Sequence, residues 1–101
     1  MRDFKLTKAA LADLMGVGRY TEATWGRAQR DRYLGMLDEA FRLVAEDSTR
    51  GVRCDEVRPG YRKHFVGRHV VYYRAEAETV WIVRILHERM DARTQFKGEQ
   101  S

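Results

Sequence analysis

Arg62, Arg84 and His87 are the residues of this sequence whose types could do chemistry together. Cleaving RNA without a metal requires a base for the 2'-hydroxyl proton, cations for the pentavalent phosphate and an acid for the leaving oxygen. The arginines could supply the cations. An imidazole, which unperturbed titrates at about pH 6.5, could serve as acid or base. Spacing does not favour the set. Alternation counted from Val80 places Arg84 on one strand face with Ile82 and Leu86, and His87 on the other with Trp81, Val83 and Ile85. The two diverge unless the strand bends near Leu86, so no residue is assigned as catalytic and a nuclease stands only as the alternative.

Arg84 is flanked by Ile82, Val83, Ile85 and Leu86. A charge in such a setting is costly to bury unpaired, so it meets either an internal carboxylate, for which Asp91 and Asp55 are the candidates, or a partner. His64, His69, His87 and Cys54 have no spacing that suits zinc, and no metal or cofactor is expected. The lone Cys54 excludes an intrachain disulfide and fits a reducing compartment.

Two kinds of element must position these residues. Phe4-Lys5-Leu6 alternates as a short strand, and Thr7 is placed to cap a helix from Lys8 to about Thr24. Leu11, Leu14, Met15 and Gly18 form its apolar stripe, and Gly16 and Gly18 are tolerable where another backbone approaches. Trp25-Gly26 breaks the pattern, and a second amphipathic helix runs through Tyr33, Leu34, Leu37, Ala40, Phe41 and Val44, making an antiparallel hairpin that ends at Ser48 to Gly51. Trp25, Tyr33 and Phe41 are expected in its core.

After Gly51 the apolar period changes to two. Strands are expected over Arg53 to Arg58, Tyr61 to Val66, Val70 to Arg74 and Thr79 to Leu86, with links short enough to require antiparallel neighbours. Val70 to Tyr73 and Val80 to Val83 are apolar on both faces. Helices on one face leave the other uncovered, which points to a partner, and either Tyr72 or Tyr73 is then free to meet it. Arg93 to Ser101 reads as a polar tail with Phe96 as its only anchor.

The 101 residues suit a single α+β domain spanning 1–101, with about 92–101 as the tail. The longest apolar run, Val80 to Leu86, is interrupted by Arg84 and too short for a membrane span, and the N-terminus lacks the apolar stretch of a secretory signal, so a cytoplasmic location is expected. Net charge is +4, but residues 50 to 74 alone carry seven Arg or Lys against Asp55 and Glu56. Such a segment suits an acidic protein or a phosphate backbone.

Four motifs occur in a fixed order. They are Trp25-Gly26 followed by Gln29 and Tyr33; Gly51 with Arg53-Cys54-Asp55 and Val57 to Arg62; His69 to Arg74; and Arg84-Ile85-Leu86-His87 with Arg89-Met90-Asp91. With the order strand, helical hairpin, antiparallel meander, they resemble the ParE branch of the RelE/ParE toxin superfamily from about Phe4 to Asp91. The resemblance implies a short N-terminal strand and a helical hairpin packed on one face of the meander. It further implies a type II toxin neutralised by direct binding of a cognate ParD-like antitoxin in a hetero-oligomer, with DNA contact made mainly by the antitoxin. Inhibition of DNA gyrase is the activity implied for the ParE branch, and ribosome-dependent messenger RNA cleavage for the RelE branch, whose nucleases carry an arginine resembling Arg62 at this strand. A plain basic nucleic-acid-binding module ranks behind both. The residues expected to meet antitoxin or target are Arg58, Arg62, His64, Tyr72, Arg74, Arg84, His87 and Arg89.

Overall fold

The computed structural model describes residues 3–96. Its elements are β1 (Asp3–Leu6), α1 (Lys8–Trp25), α2 (Arg27–Glu46), β2 (Val52–Arg53), β3 (Arg62–Val66), β4 (His69–Ala75), β5 (Thr79–His87) and α3 (Ala92–Phe96). One five-stranded sheet has the order β1-β5-β4-β3-β2. Strands β2 to β5 form the antiparallel meander, and β1 joins β5 in parallel, with Phe4 opposite Val80 and Leu6 opposite Ile82. This is the α+β arrangement read from the sequence.

Thr7 sets the geometry where β1 gives way to α1. Its hydroxyl accepts the Ala10 N–H at 3.1 Å, capping the helix, and donates to the Val83 carbonyl at 2.9 Å. The hairpin turns at Gly26, whose φ of 94° is open to glycine and strained for other residues. Arg30 of α2 pairs with Glu22 of α1 across that turn.

The helix-side core joins Ala10 and Leu14 of α1, Leu37, Phe41 and Val44 of α2, and Val71, Tyr73, Val80, Ile82 and Ile85 of the sheet. On α1 the packed stripe is Ala10, Leu14, Val17, Gly18 and Thr21, displaced by one position from the expected one, so Leu11 and Met15 are exposed. Gly18 admits the Leu34 side chain rather than a backbone, and a Cβ there would stand 3.4 Å from it. Trp25 ends α1 at the hairpin tip and is 70% exposed, so it does not join the core with Phe41.

The opposite sheet face is not bare. Cys54, Val70, Tyr72, Val83, Leu86 and Phe96 form a second buried cluster, flanked by Val57, Tyr61, Trp81 and Ala92. Two expectations change here. The segment from Arg53 to Arg58 is strand only at Val52–Arg53. From Cys54 the chain coils, because the Cys54 carbonyl accepts the Val57 N–H at 2.9 Å and the Asp55 carboxylate accepts the Gly60 N–H at 2.7 Å, closing a turn that Pro59-Gly60 favours. Residues 92–96 of the expected tail form α3, whose Phe96 is 3% exposed and stacks edge-on against Tyr61 and Tyr72. Residues 97–101 of that tail lie outside the described residues.

Candidate functional site

Strand β5 does not alternate strictly. Tyr73 stands opposite Ile82 and Tyr72 opposite Arg84, so Val83 is an extra residue, a β-bulge. Before it, Val80 and Ile82 face the helices; after it, Ile85 does, while Leu86 joins the far cluster. The bulge overturns the expected divergence of Arg84 and His87. Both line one cavity of about 270 Å3, together with Asp13, Val17, His69, Ile85, Met90 and Gln95.

Asp13 of α1 holds this cavity together. Its Oδ2 takes Arg84 Nε at 2.7 Å, its Oδ1 takes Nη2 at 3.0 Å, and Oδ2 also accepts the Ile85 backbone N–H at 2.9 Å. The two side chains are 15% and 16% exposed. Strand β1 stops at Leu6, so Asp13 supplies the acceptor that a longer edge strand would offer to β5. The carboxylate expected opposite Arg84 was Asp91 or Asp55. Both are committed elsewhere: Asp55 to Arg53 and Gly60, Asp91 to the Arg93 N–H and Thr94 hydroxyl that open α3. These bonds hold the Asp55 carboxyl below the ordinary range, the Gly60 N–H contributing most.

The two histidines of the cavity are each held by one nitrogen. Tyr33 Oη lies 2.6 Å from His69 Nδ1 and accepts the Arg68 N–H at 3.1 Å. His87 Nδ1 accepts the Arg89 N–H at 3.1 Å, and the two imidazoles meet edge to face at 5.5 Å. Burial, then the neighbouring His87, push the His69 pKa down.

The other expected site residues are scattered. Arg62 donates to the Gly51 carbonyl at 2.8 Å and does not line the cavity, so the proposed nuclease set of Arg62, Arg84 and His87 is not assembled. Arg58 donates to the Phe96 carbonyl at 3.2 Å, bracing α3. Tyr72, expected to meet a partner, is buried beneath Phe96. His64 is half-buried on β3, and burial and Arg50 lower its pKa. Arg74 lies over the Trp81 ring at 5.6 Å, with Lys5 at 5.9 Å. Arg89 is exposed. Among the described residues no group of three or more His, Cys, Asp or Glu could hold a metal ion, and no helix is long and apolar enough to cross a membrane.

Asp13 and His69 were missed as site residues. Asp13 had a legible signal: it is one of two carboxylates on α1 and sits among Ala12, Leu14 and Val17. Exposed large apolar side chains include Leu11, Met15 and Met36 on the hairpin, at 50%, 55% and 46%, and Val52 and Phe65 on β2 and β3, at 58% and 59%.

Comparison with known proteins agrees with this architecture. A family profile described as ParE toxin of type II toxin-antitoxin system, parDE, matches residues 4–92. Toxin ParE1 of Mycobacterium tuberculosis is 42% identical over 89 residues, covering 87% of this chain and 91% of the relative. Toxin ParE1 of Caulobacter vibrioides is 37% identical over 96 residues, covering 95% and 99%, and Toxin ParE of Escherichia coli 36% over 97 residues, covering 95% and 94%. A solved structure described as the chromosomal ParDE TA system from P. aeruginosa superposes with a TM-score of 0.75 at 19% identity, covering 86% of this chain and 96% of that one, a likeness of fold. With the hairpin, the meander and the profile match running through Ala92, the chain belongs to the ParE toxin family of type II toxin-antitoxin systems.

Proposed function

We propose that this toxin is held inactive by direct contact with a ParD-like antitoxin and acts by binding and inhibiting DNA gyrase rather than by catalysis. The observation that carries binding over catalysis is the state of the arginines. Arg84 is gripped by Asp13 and Arg62 is turned to the Gly51 carbonyl, so neither is presented as a free phosphate clamp. Leu11, Met15 and Met36 offer the antitoxin an apolar seat on the hairpin. The gyrase target is carried by family membership. A supercoiling assay with the purified chain tests it: inhibition at micromolar concentration is expected, and full supercoiling at that concentration overturns it.

One observation favours the nuclease as a second reading. The bulge brings Arg84 and His87 to one cavity beside His69. Mapping transcript ends after induction separates the two: new codon-associated ends indicate cleavage, whereas an SOS response with intact transcripts indicates gyrase inhibition.

A further inference from the structure

We propose that the cavity between α1, the end of β5 and α3 is a carboxylate receptor that takes one acidic side chain of a protein partner, an inference that rests on the reading that the chain works through protein contact. The argument begins with the protons of its two imidazoles. A neutral imidazole has one N–H donor and one bare acceptor nitrogen, and the partner of one fixes the other. His87 Nδ1 faces a backbone N–H, that of Arg89, and so must be the acceptor. Its proton is on Nε2.

His69 reaches the same state by a different route. The Tyr33 hydroxyl has a single proton and two acceptors in reach, His69 Nδ1 at 2.6 Å and the Val66 carbonyl at 3.3 Å. At 2.6 Å the His69 contact falls in the range of an O–H donor and is shorter than an N–H donor keeps, so the hydroxyl is the donor there. With that proton directed at Nδ1, His69 also carries its own proton on Nε2. Burial holds His69 toward the neutral form, in which the tautomer is defined. Neither Nε2 has a partner among the described residues, and none of their buried side-chain nitrogens or oxygens is left unsatisfied. Both donors are therefore open to whatever enters the cavity.

Two N–H donors on adjacent rings favour an anionic acceptor, which bonds to them more strongly than a neutral one, while the Arg84 charge in the same wall is already met by Asp13. The rest of the wall selects which one. Val17, Ile85, Leu86 and Met90 are apolar and suit the methylene stem of a glutamate or aspartate. A volume of about 270 Å3 holds one side chain and not a polymer backbone. Arg68 and Arg89, next to His69 and two residues after His87 in the chain, are exposed, Arg68 partly offset by Glu88 at 3.7 Å.

The test uses the full-length chain with labelled imidazole nitrogens and three probes: N-acetyl-glutamate amide, its uncharged glutamine counterpart and inorganic phosphate. Before any probe is added, both rings should show the Nε2–H tautomer pattern. The glutamate derivative should then shift both rings saturably, at least about tenfold more tightly than the glutamine derivative, a difference of about 1.4 kcal/mol. His87→Ala should weaken that binding at least about tenfold with the backbone amide spectrum retained, and His87→Gln, which keeps an N–H donor, should recover part of it. An Nδ1–H tautomer on either ring, equal response to both amino-acid derivatives, no saturable shift, or tighter binding of phosphate overturns the proposal, the last in favour of a nucleic-acid backbone. Since neither gyrase nor antitoxin enters this titration, supercoiling inhibition can fail while the cavity binds, or succeed while it does not.

Discussion

Asp13 grips the Arg84 guanidinium with both carboxylate oxygens, and one of those oxygens also accepts the Ile85 N–H, so a single side chain of α1 holds a charge and a strand edge at once. The two functions are separable by substitution. Asp13→Ala removes both and leaves Arg84 unpaired in a largely buried place, at an expected cost of about 3 kcal/mol. Asp13→Asn keeps an acceptor for Ile85 and should recover about 1 kcal/mol of that loss. Urea unfolding of the two variants checks the order; equal losses would mean that the backbone bond contributes nothing.

Tyr73 closes the gap between α2 and β2. Its hydroxyl donates to the Ser48 carbonyl at 2.8 Å and accepts the buried Gly51 N–H at 2.9 Å. Tyr73→Phe should therefore cost roughly 1–3 kcal/mol, the penalty of a buried N–H left unpaired. Gly51→Ala should cost a similar amount for a steric reason, because a Cβ would stand 2.6 Å from that hydroxyl and 2.7 Å from the Lys63 carbonyl, and a carbonyl cannot swing aside. Thermal or denaturant melts read both effects, and an unchanged midpoint in either variant would refute the tie.

Cys54 should be chemically silent in the native protein. Burial, the largest cause, pushes its thiol up to about 11. At pH 8 that leaves about one thiolate in a thousand, against roughly a quarter for an ordinary thiol. Modification by a thiol reagent should be at least about a hundredfold slower in the folded chain than in denaturant. Comparable rates would show that the far cluster opens readily.

Stability should fall on mild acidification. The His69 pKa is lowered in the folded state, chiefly by burial, so the unfolded chain takes up a proton first as pH drops. Where the unfolded state binds more protons, stability rises with pH. The loss therefore begins near the unfolded value of about 6.5 and continues until pH passes the lower folded one. His64, lowered by burial and Arg50, acts in the same direction. Urea midpoints from pH 7.5 to 5 should decline, and His69→Gln should flatten part of the slope; an identical slope in that variant would assign the effect elsewhere.

The sequence made the local structure legible. Thr7 caps α1, Gly26 separates the helices, and Gly67-Arg68 links β3 to β4, because caps, breaks and turns are set by a few neighbouring residues. What alternation could not reveal was decided at long range. Asp13 and Arg84 are 71 positions apart, and nothing local to either names the other. Phe96 looked like an anchor in a polar tail, but that it seals Tyr72 depends on the shape of a face built from three other segments. Trp25 and Met15 belonged to an apolar helical pattern whose burial depends on which side the sheet occupies, and the pattern alone leaves an error of one position unnoticed.

Val83 makes β5 a strand of two regular halves joined out of phase. Each half keeps a period of two, and the slip between them lies at Val83 and Arg84. Removing one residue at Val83 would bring the halves back into step with Ile85 and Leu86 still on their present sides. Arg84 would inherit the place of Val83 above the far cluster, and Asp13 would face an empty seat. The surplus residue is thus the length of chain that lets a cation leave the sheet and reach a helix.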